Sequence, residues 1–178
     1  MKTALLATLA LAAAPAPAPA LAQDSVVGSG TATTGTLSFD FAFDAASGPA
    51  GESPGGTATF GSSTGVVTCL SVAGNTAVVG VDNEVIPHFP VDSLYVLVDG
   101  GPAGAGDTIT TYFLQAPPTP STCSPPSGTP PPPFAVTSGD IAIHDAPPLP
   151  TSKEDCKNGG WRQFGFKNQG RCVASTHP

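Results

Sequence analysis

The sequence predicts an all-β fold: an antiparallel sandwich or barrel of about seven or eight short strands, with a small disulfide-closed module at the C-terminus. Three observations predict it. Glycine and proline number 21 each while charged residues are 11% of the chain, a composition of turns and short strands rather than of helices. Apolar residues recur with period two, most clearly where Leu37, Phe39, Phe41 and Phe43 alternate with Ser38, Asp40, Ala42 and Asp44, the signature of a half-buried strand. Four cysteines form an even set, and the last two close off a short C-terminal segment.

Taken in chain order, residues 1–22 read as an export leader. Lys2 supplies the charge, Ala4 to Ala14 the apolar run, and Ala20-Leu21-Ala22 a small-residue cleavage site. Cleavage after Ala22 leaves 156 of the 178 residues. The apolar run is shorter than the roughly 20 residues a membrane helix needs, Pro15, Pro17 and Pro19 follow it, and no later stretch comes closer. Leu149 to Lys153 does not make a sortase signal. The mature chain is therefore expected to be secreted and free of a transmembrane segment.

Residues 23–146 are expected to form the β-domain. After the alternating strand at 37–44, Gly48 to Gly56 reads as a loop, and strand candidates come after it at 57–61, 65–73 and 76–81, with Gly74-Asn75 as a hairpin turn. Further candidates are 93–98 and 108–115, joined by the glycine-rich connection 99–107, and then 140–144. Between the last two lies a loop, 116–133, with nine prolines. It cannot enter a central strand and is expected to run extended over the surface, where its Ser and Thr hydroxyls suit O-glycosylation. No Asn-x-Ser/Thr sequon occurs.

Residues 147–151 read as a Pro-rich linker and 152–178 as a basic tail. Ser152 and Asp155 resemble a capping box for a helix of about two turns, stopped by Gly159-Gly160. Trp161, Phe164 and Phe166 read as the small core of that module. In an exported protein, pairing within each region, Cys69 with Cys123 and Cys156 with Cys172, is the economical scheme. The loop-entropy model gives the long bridge about 4 kcal/mol and the short one about 3. A zinc site is the rival, but C-x-x-C spacing is absent and the histidines are remote in sequence.

Charge separates the two regions. Residues 23–152 hold 11 acidic residues and no Lys or Arg, whereas residues 153–178 hold five basic residues against Glu154 and Asp155. So acidic a body opposes approach to a long polyanion, and no nucleic-acid partner is expected. Lys157, Arg162, Lys167 and Arg171, interleaved with Trp161, Phe164 and Phe166, form the candidate binding surface. Its candidate partners are an anionic component of the cell envelope or the acidic body itself.

Catalytic candidates are sparse. Gly51-Glu52-Ser53-Pro54-Gly55 fits G-x-S-x-G, but a nucleophile elbow needs a helix after the serine and here another strand succeeds it. His144 beside Asp145 could be an oriented base, His88 lies among prolines, and His177 is next to the last residue. Asp82, Glu84, Asp92, Asp99 and Asp107 mark strand ends where oxygen ligands could gather around calcium, though no EF-hand or repeat pattern accompanies them. Neither a catalytic set nor a cofactor is assigned.

The tail Ser152-Lys-Glu-Asp-Cys-Lys-Asn-Gly-Gly-Trp161, then Phe164, Phe166-Lys-Asn-Gln-Gly170 and Cys172-Val173, resembles a C-terminal signature of uncharacterised secreted proteins of actinobacteria. The body is similar to the same group through Gly51 to Pro54, Val67 to Leu70 with Gly74-Asn75, and Ser138 to Ile141 leading to His144-Asp145. The single residue between Phe164 and Phe166 is shorter than that pattern's spacer. The resemblance implies export and β architecture, and transfers no activity. The leading expectation is a secreted, non-enzymatic binding or structural module at the cell surface or in the medium. The alternative is an extracellular hydrolase or hydrolase inhibitor.

Overall fold

The alternation at Leu37–Asp44 opens a strand that continues to Ser47, and seven more strands share its sheet. The computed structural model describes residues 23–83 and 92–176. Residues 1–22, read from the sequence as an export leader, and Glu84, His88 and His177 lie outside the described residues. The strands are β1 (Asp24–Thr34), β2 (Leu37–Ser47), β3 (Gly55–Phe60), β4 (Ser63–Ala73), β5 (Thr76–Asn83), β6 (Asp92–Val98), β7 (Thr108–Leu114) and β8 (Phe134–His144). Each pairs antiparallel with the next, and β8 returns to β1, so the sheet is a closed barrel rather than a sandwich. Among the described residues no helix is long and apolar enough to cross a membrane.

The strand that no sequence pattern announces is β1. Its segment Gly28-Ser29-Gly30-Thr31 has no apolar alternation, yet the barrel needs small residues there, because Gly28 lies between Phe43 of β2 and Ile141 of β8 in the same row. Alternating small and large residues fills a narrow barrel. Gly139 of β8 takes a positive φ of 86° beside a bulge at which the β1–β8 register shifts between Thr31 and Ala32. A Cβ at Gly139 would meet the Ser29 carbonyl oxygen, so glycine is required where the two backbones approach.

Side chains fill the interior. Val26, Phe41, Phe43, Leu70, Val79, Tyr95, Leu97, Ile109 and Ile141 are all buried in one cluster. Aromatic rings run through it as a chain of contacts: Phe41 to Phe43 at 5.9 Å, Phe43 to Tyr95 at 5.3 Å, Tyr95 to Phe60 at 5.7 Å, and Phe60 to Phe134 at 5.2 Å between centroids. Edge-on and tilted pairs at such distances add about 0.5–1.5 kcal/mol each beyond their buried area. Leu37, expected to face inward with the three phenylalanines, is 56% exposed because it sits at the hairpin end of β2.

Closure between β7 and β8 is incomplete. The two strands pair only through Thr108 with Ala135 and Ile109 with Phe134. In one direction the register of β7 runs into Pro130 to Pro133, which have no N–H to donate. In the other, β8 extends past the start of β7, and the 99–107 connection occupies the gap. Its main chain contributes two bonds, the Asp107 carbonyl accepting the Val136 N–H at 3.0 Å and the Gly104 N–H donating to Asp140 Oδ1 at 2.6 Å. Its carboxylates contribute the rest: Asp107 Oδ2 accepts the Ile141 N–H at 2.8 Å, and Asp99 Oδ2 accepts the Ile143 N–H at 3.4 Å. Two aspartates thus do the work of a missing strand edge, since a buried backbone N–H must find an acceptor.

Candidate functional site

Acidic side chains at the barrel end that carries the 48–54 and 99–107 loops are already committed. Asp107, 1% exposed, also accepts the Gly100 N–H at 2.9 Å through Oδ1. Asp99 Oδ1 accepts Gly101 N–H, Asp140 accepts Gly104 N–H, Asp145 accepts Gly74 N–H and Glu52 accepts Ala50 N–H. Asp24, 2% exposed, accepts the Ala146 N–H at 2.8 Å, tying the chain after β8 to the start of β1. Burial pushes the Asp24 carboxyl above the ordinary carboxylate range, against the pull of that N–H. Asp92, at the other end, is raised in the same way by desolvation while it accepts the Asn83 N–H. Of the strand-end acids considered for calcium, Asp92, Asp99 and Asp107 are engaged as backbone acceptors, and among the described residues no three potential metal ligands converge.

Ser53 lies in the left-handed region, φ 51°, in a loop folded on itself by Gly48 N–H to the Glu52 carbonyl and Gly51 N–H to the Gly48 carbonyl. The chain passes through Pro54 directly into β3, so the strand–turn–helix setting of a nucleophile elbow is not formed. His144 is exposed at the end of β8, and the Asp145 carboxylate beside it is engaged by the β4–β5 turn. No hydrogen bond joins Ser53, His144 and Asp145 among the described residues. A cleft of about 220 Å³ opens nearby, lined by Asp24, Ala50, Gly51, Ser71, Pro120 and Cys123 among others.

The Pro-rich segment 116–133 is a strap held against the outer wall of the barrel. Cys69, Gly80 and Leu94 form a row across β4, β5 and β6. Cys69 and Leu94 are buried although they face away from the interior, because Cys123 bonds to Cys69 and Pro118 lies over Gly80. A Cβ on Gly80 would fall 2.3 Å from Pro118 Cγ and 2.5 Å from Cys69 Sγ, so only glycine lets the strap sit down. Beyond Cys123, residues 124–133 are exposed until Phe134 re-enters the aromatic core.

The tail departs from its predicted helix. Ser152 and Asp155 do form the reciprocal cap: Asp155 Oδ2 accepts Ser152 N–H at 2.8 Å, and Ser152 Oγ accepts Asp155 N–H at 3.3 Å. Those hydrogen bonds, from the Ser152 N–H first and then from the Thr151 hydroxyl, hold the Asp155 carboxyl below its ordinary range. Beyond the cap the chain makes i to i+3 turns, interrupted by Asn158 and Gly159 at φ 52° and 88° and resumed from Gly160 to Gly165. The α-helix is instead α1 (Gln169–Ser175), capped by Asn168, whose side chain accepts the Arg171 N–H. Cys156 and Cys172 are fully buried and joined. Trp161, Phe164 and Phe166 are only half-buried, so the disulfide, rather than an aromatic cluster, is the centre of the module.

Lys153, Lys157, Arg162, Lys167 and Arg171 are all exposed. The Arg162 guanidinium stacks 4.8 Å from the Trp161 ring centroid, a composite cation–aromatic surface. Among the described residues the one ion pair is Lys157 with Glu154, inside the tail itself. No described ion pair joins the tail cations to the acidic barrel.

Fold and site together define a filled eight-stranded antiparallel barrel bearing a stapled outer strap and a disulfide-centred cationic tail. Comparisons with protein-family models, with curated proteins and with solved structures find no match to this chain.

Proposed function

We propose that this is a secreted, non-enzymatic binding module whose tail attaches it to an anionic component of the cell envelope. The observation that carries the reading is the state of the tail cations: they are exposed, and the one described ion pair they make is local. A barrel whose interior is filled by its own aromatic rings leaves binding to outer surfaces. Two disulfides suit an oxidising compartment, in keeping with the leader-like N-terminus and with the resemblance to secreted actinobacterial proteins.

Each cation near an anionic surface contributes about 1 kcal/mol at moderate salt. The full-length protein carrying Lys157→Gln, Arg162→Gln, Lys167→Gln and Arg171→Gln together is expected to lose more than about tenfold in retention on purified cell walls. Walls stripped of their anionic polymers by acid extraction should retain both proteins equally weakly. Equal retention of the two proteins on untreated walls would remove the tail from the binding account.

A further inference from the structure

We propose that the strap is an O-glycosylation site, with Ser124, Ser127 and Thr129 as the acceptor hydroxyls. The inference goes beyond the binding reading and shares with it only the export of the chain. It begins from a contrast within the strap. Before the staple, Thr119, Ser121 and Thr122 are consumed by one another: Thr119 Oγ1 contacts Ser121 Oγ at 3.0 Å and Thr122 Oγ1 at 3.1 Å, and Thr122 Oγ1 accepts the Thr119 N–H at 2.9 Å. After the staple, Ser124, Ser127 and Thr129 are exposed, and among the described residues their hydroxyls make no hydrogen bond.

The backbone is open at Ser127 and Thr129, which make no main-chain hydrogen bond among the described residues, whereas the Ser124 N–H donates to the Thr122 carbonyl at 2.8 Å and leaves that residue at the edge of the staple turn. Ser124 precedes Pro125, Ser127 follows Pro126 and Thr129 precedes Pro130. Prolines lock φ and favour an extended, fully solvated chain without internal hydrogen bonds. A transferase must reach main chain on both sides of the acceptor, and exposed hydroxyls on the barrel wall fail that requirement. Thr59 and Thr64, for example, sit on paired strands and bond to each other at 3.0 Å. The segment is anchored at one end by the Cys69–Cys123 bridge and at the other by Phe134, packed on Phe39 and Phe60, and every residue between, 124–133, is exposed. Ser/Thr residues among prolines are the composition of O-glycosylated stalks in general.

In the transfer, the hydroxyl oxygen attacks the anomeric carbon of a phosphate-activated sugar donor. The new C–O bond replaces the bond to the phosphate carrier, which leaves with the electron pair, and the hydroxyl proton passes to a base of the transferase.

The test is mass spectrometry of the protein from its native host, digested with chymotrypsin. Residues 23–152 contain no Lys or Arg for trypsin, while Leu114 and Phe134 bracket the strap. The expected result is one to three whole-sugar increments on that fragment, localised to Ser124, Ser127 or Thr129. They should be lost in the Ser124→Ala, Ser127→Ala, Thr129→Ala variant and kept in the Ser121→Ala, Thr122→Ala variant. A bare fragment from a chain whose leader has been removed would overturn the glycan while leaving export standing. A bare fragment from a chain that retains its leader would overturn both. Phosphate in place of sugar, or sugar confined to Thr119, Ser121 and Thr122, would also overturn it.

Discussion

The barrel and the tail use the same chemical group under different constraints. Asp107 is fully buried within a closed sheet and receives two backbone N–H groups from different segments, Gly100 and Ile141. Asp155 lies in a module with no sheet and receives its donors from its own neighbours, Thr151 and Ser152. In the barrel most of the engaged carboxylates complete long-range tertiary structure, Glu52 with its local bond to Ala50 being the exception, and in the tail one carboxylate organises a local turn while a disulfide supplies the long-range link. The difference teaches that the acidity of the body is in good part architectural. Seven of its carboxylates, Asp24, Glu52, Asp92, Asp99, Asp107, Asp140 and Asp145, are acceptors for main-chain donors.

The strongest way to break this comparison is to remove the acceptor at the seam. Asp107→Ala orphans the buried Ile141 N–H, at about 1–3 kcal/mol, and releases the Gly100 N–H of an exposed residue at a smaller cost, so a loss of about 2–4 kcal/mol is expected in denaturant unfolding. Asp107→Asn, which keeps one acceptor oxygen, should lose about half as much. Amide exchange at Gly100 and Ile141 should rise before exchange elsewhere in β8. A loss below about 1 kcal/mol for Asp107→Ala would mean that the seam does not depend on the carboxylate.

Disulfide removal comes next and should separate the regions. Cys156→Ala with Cys172→Ala truncates the two fully buried side chains at the centre of the tail and forfeits about 3 kcal/mol of loop closure. Trp161, the chain's single tryptophan, should then show solvent-exposed fluorescence, while Tyr95 and Tyr112, the two tyrosines, both in the barrel, report an unchanged barrel midpoint. Cys69→Ala with Cys123→Ala should do the opposite, freeing the strap and lowering the barrel midpoint while leaving Trp161 undisturbed. A smaller version of the second effect is expected from Gly80→Ala, whose added methyl lifts Pro118. About 1–3 kcal/mol is the usual cost of such overpacking, and proteolysis within the strap should accelerate.

Much of this architecture is legible in the sequence because it rests on local signals. The alternation at Phe39–Phe43, the Gly74-Asn75 turn and the separation of the tail cysteines each point to one structure, and β2, the β4–β5 hairpin and both disulfides obey them. Local signals fail where partners are remote in sequence. The Gly-rich β1 shows its logic only when Phe43 and Ile141 are placed on either side of Gly28. Asp99 and Asp107 read as ordinary turn acids because their acceptor role depends on β8, more than 30 residues away. The capping box at Ser152 is legible as a cap but not as the start of turns rather than a helix, since Asn158 and Gly159 reverse the backbone so soon after it.

The smallest expected effect is also the most discriminating, because its sign differs between the regions. Asp24 has its carboxyl raised by burial. Between the ordinary carboxylate range and that raised value the fold holds the proton and the unfolded chain does not, so barrel stability falls as pH rises through this window. Asp92 acts in the same direction. Asp155 is lowered by its hydrogen bonds, so its contribution is complete above the unfolded value and is lost as pH falls through the folded one. Acidification should therefore firm the barrel, read by tyrosine, while loosening the tail, read by Trp161. Asp24→Asn keeps an acceptor for the Ala146 N–H and sheds the desolvated charge, so at neutral pH it should change barrel stability by less than about 1 kcal/mol and flatten its pH slope. Asp24→Ala, with the N–H orphaned, should cost about 1–3 kcal/mol. Parallel movement of the tyrosine and tryptophan signals with pH would show that barrel and tail respond as one unit, and would end the distinction between carboxylates that bridge segments and the one that caps a turn.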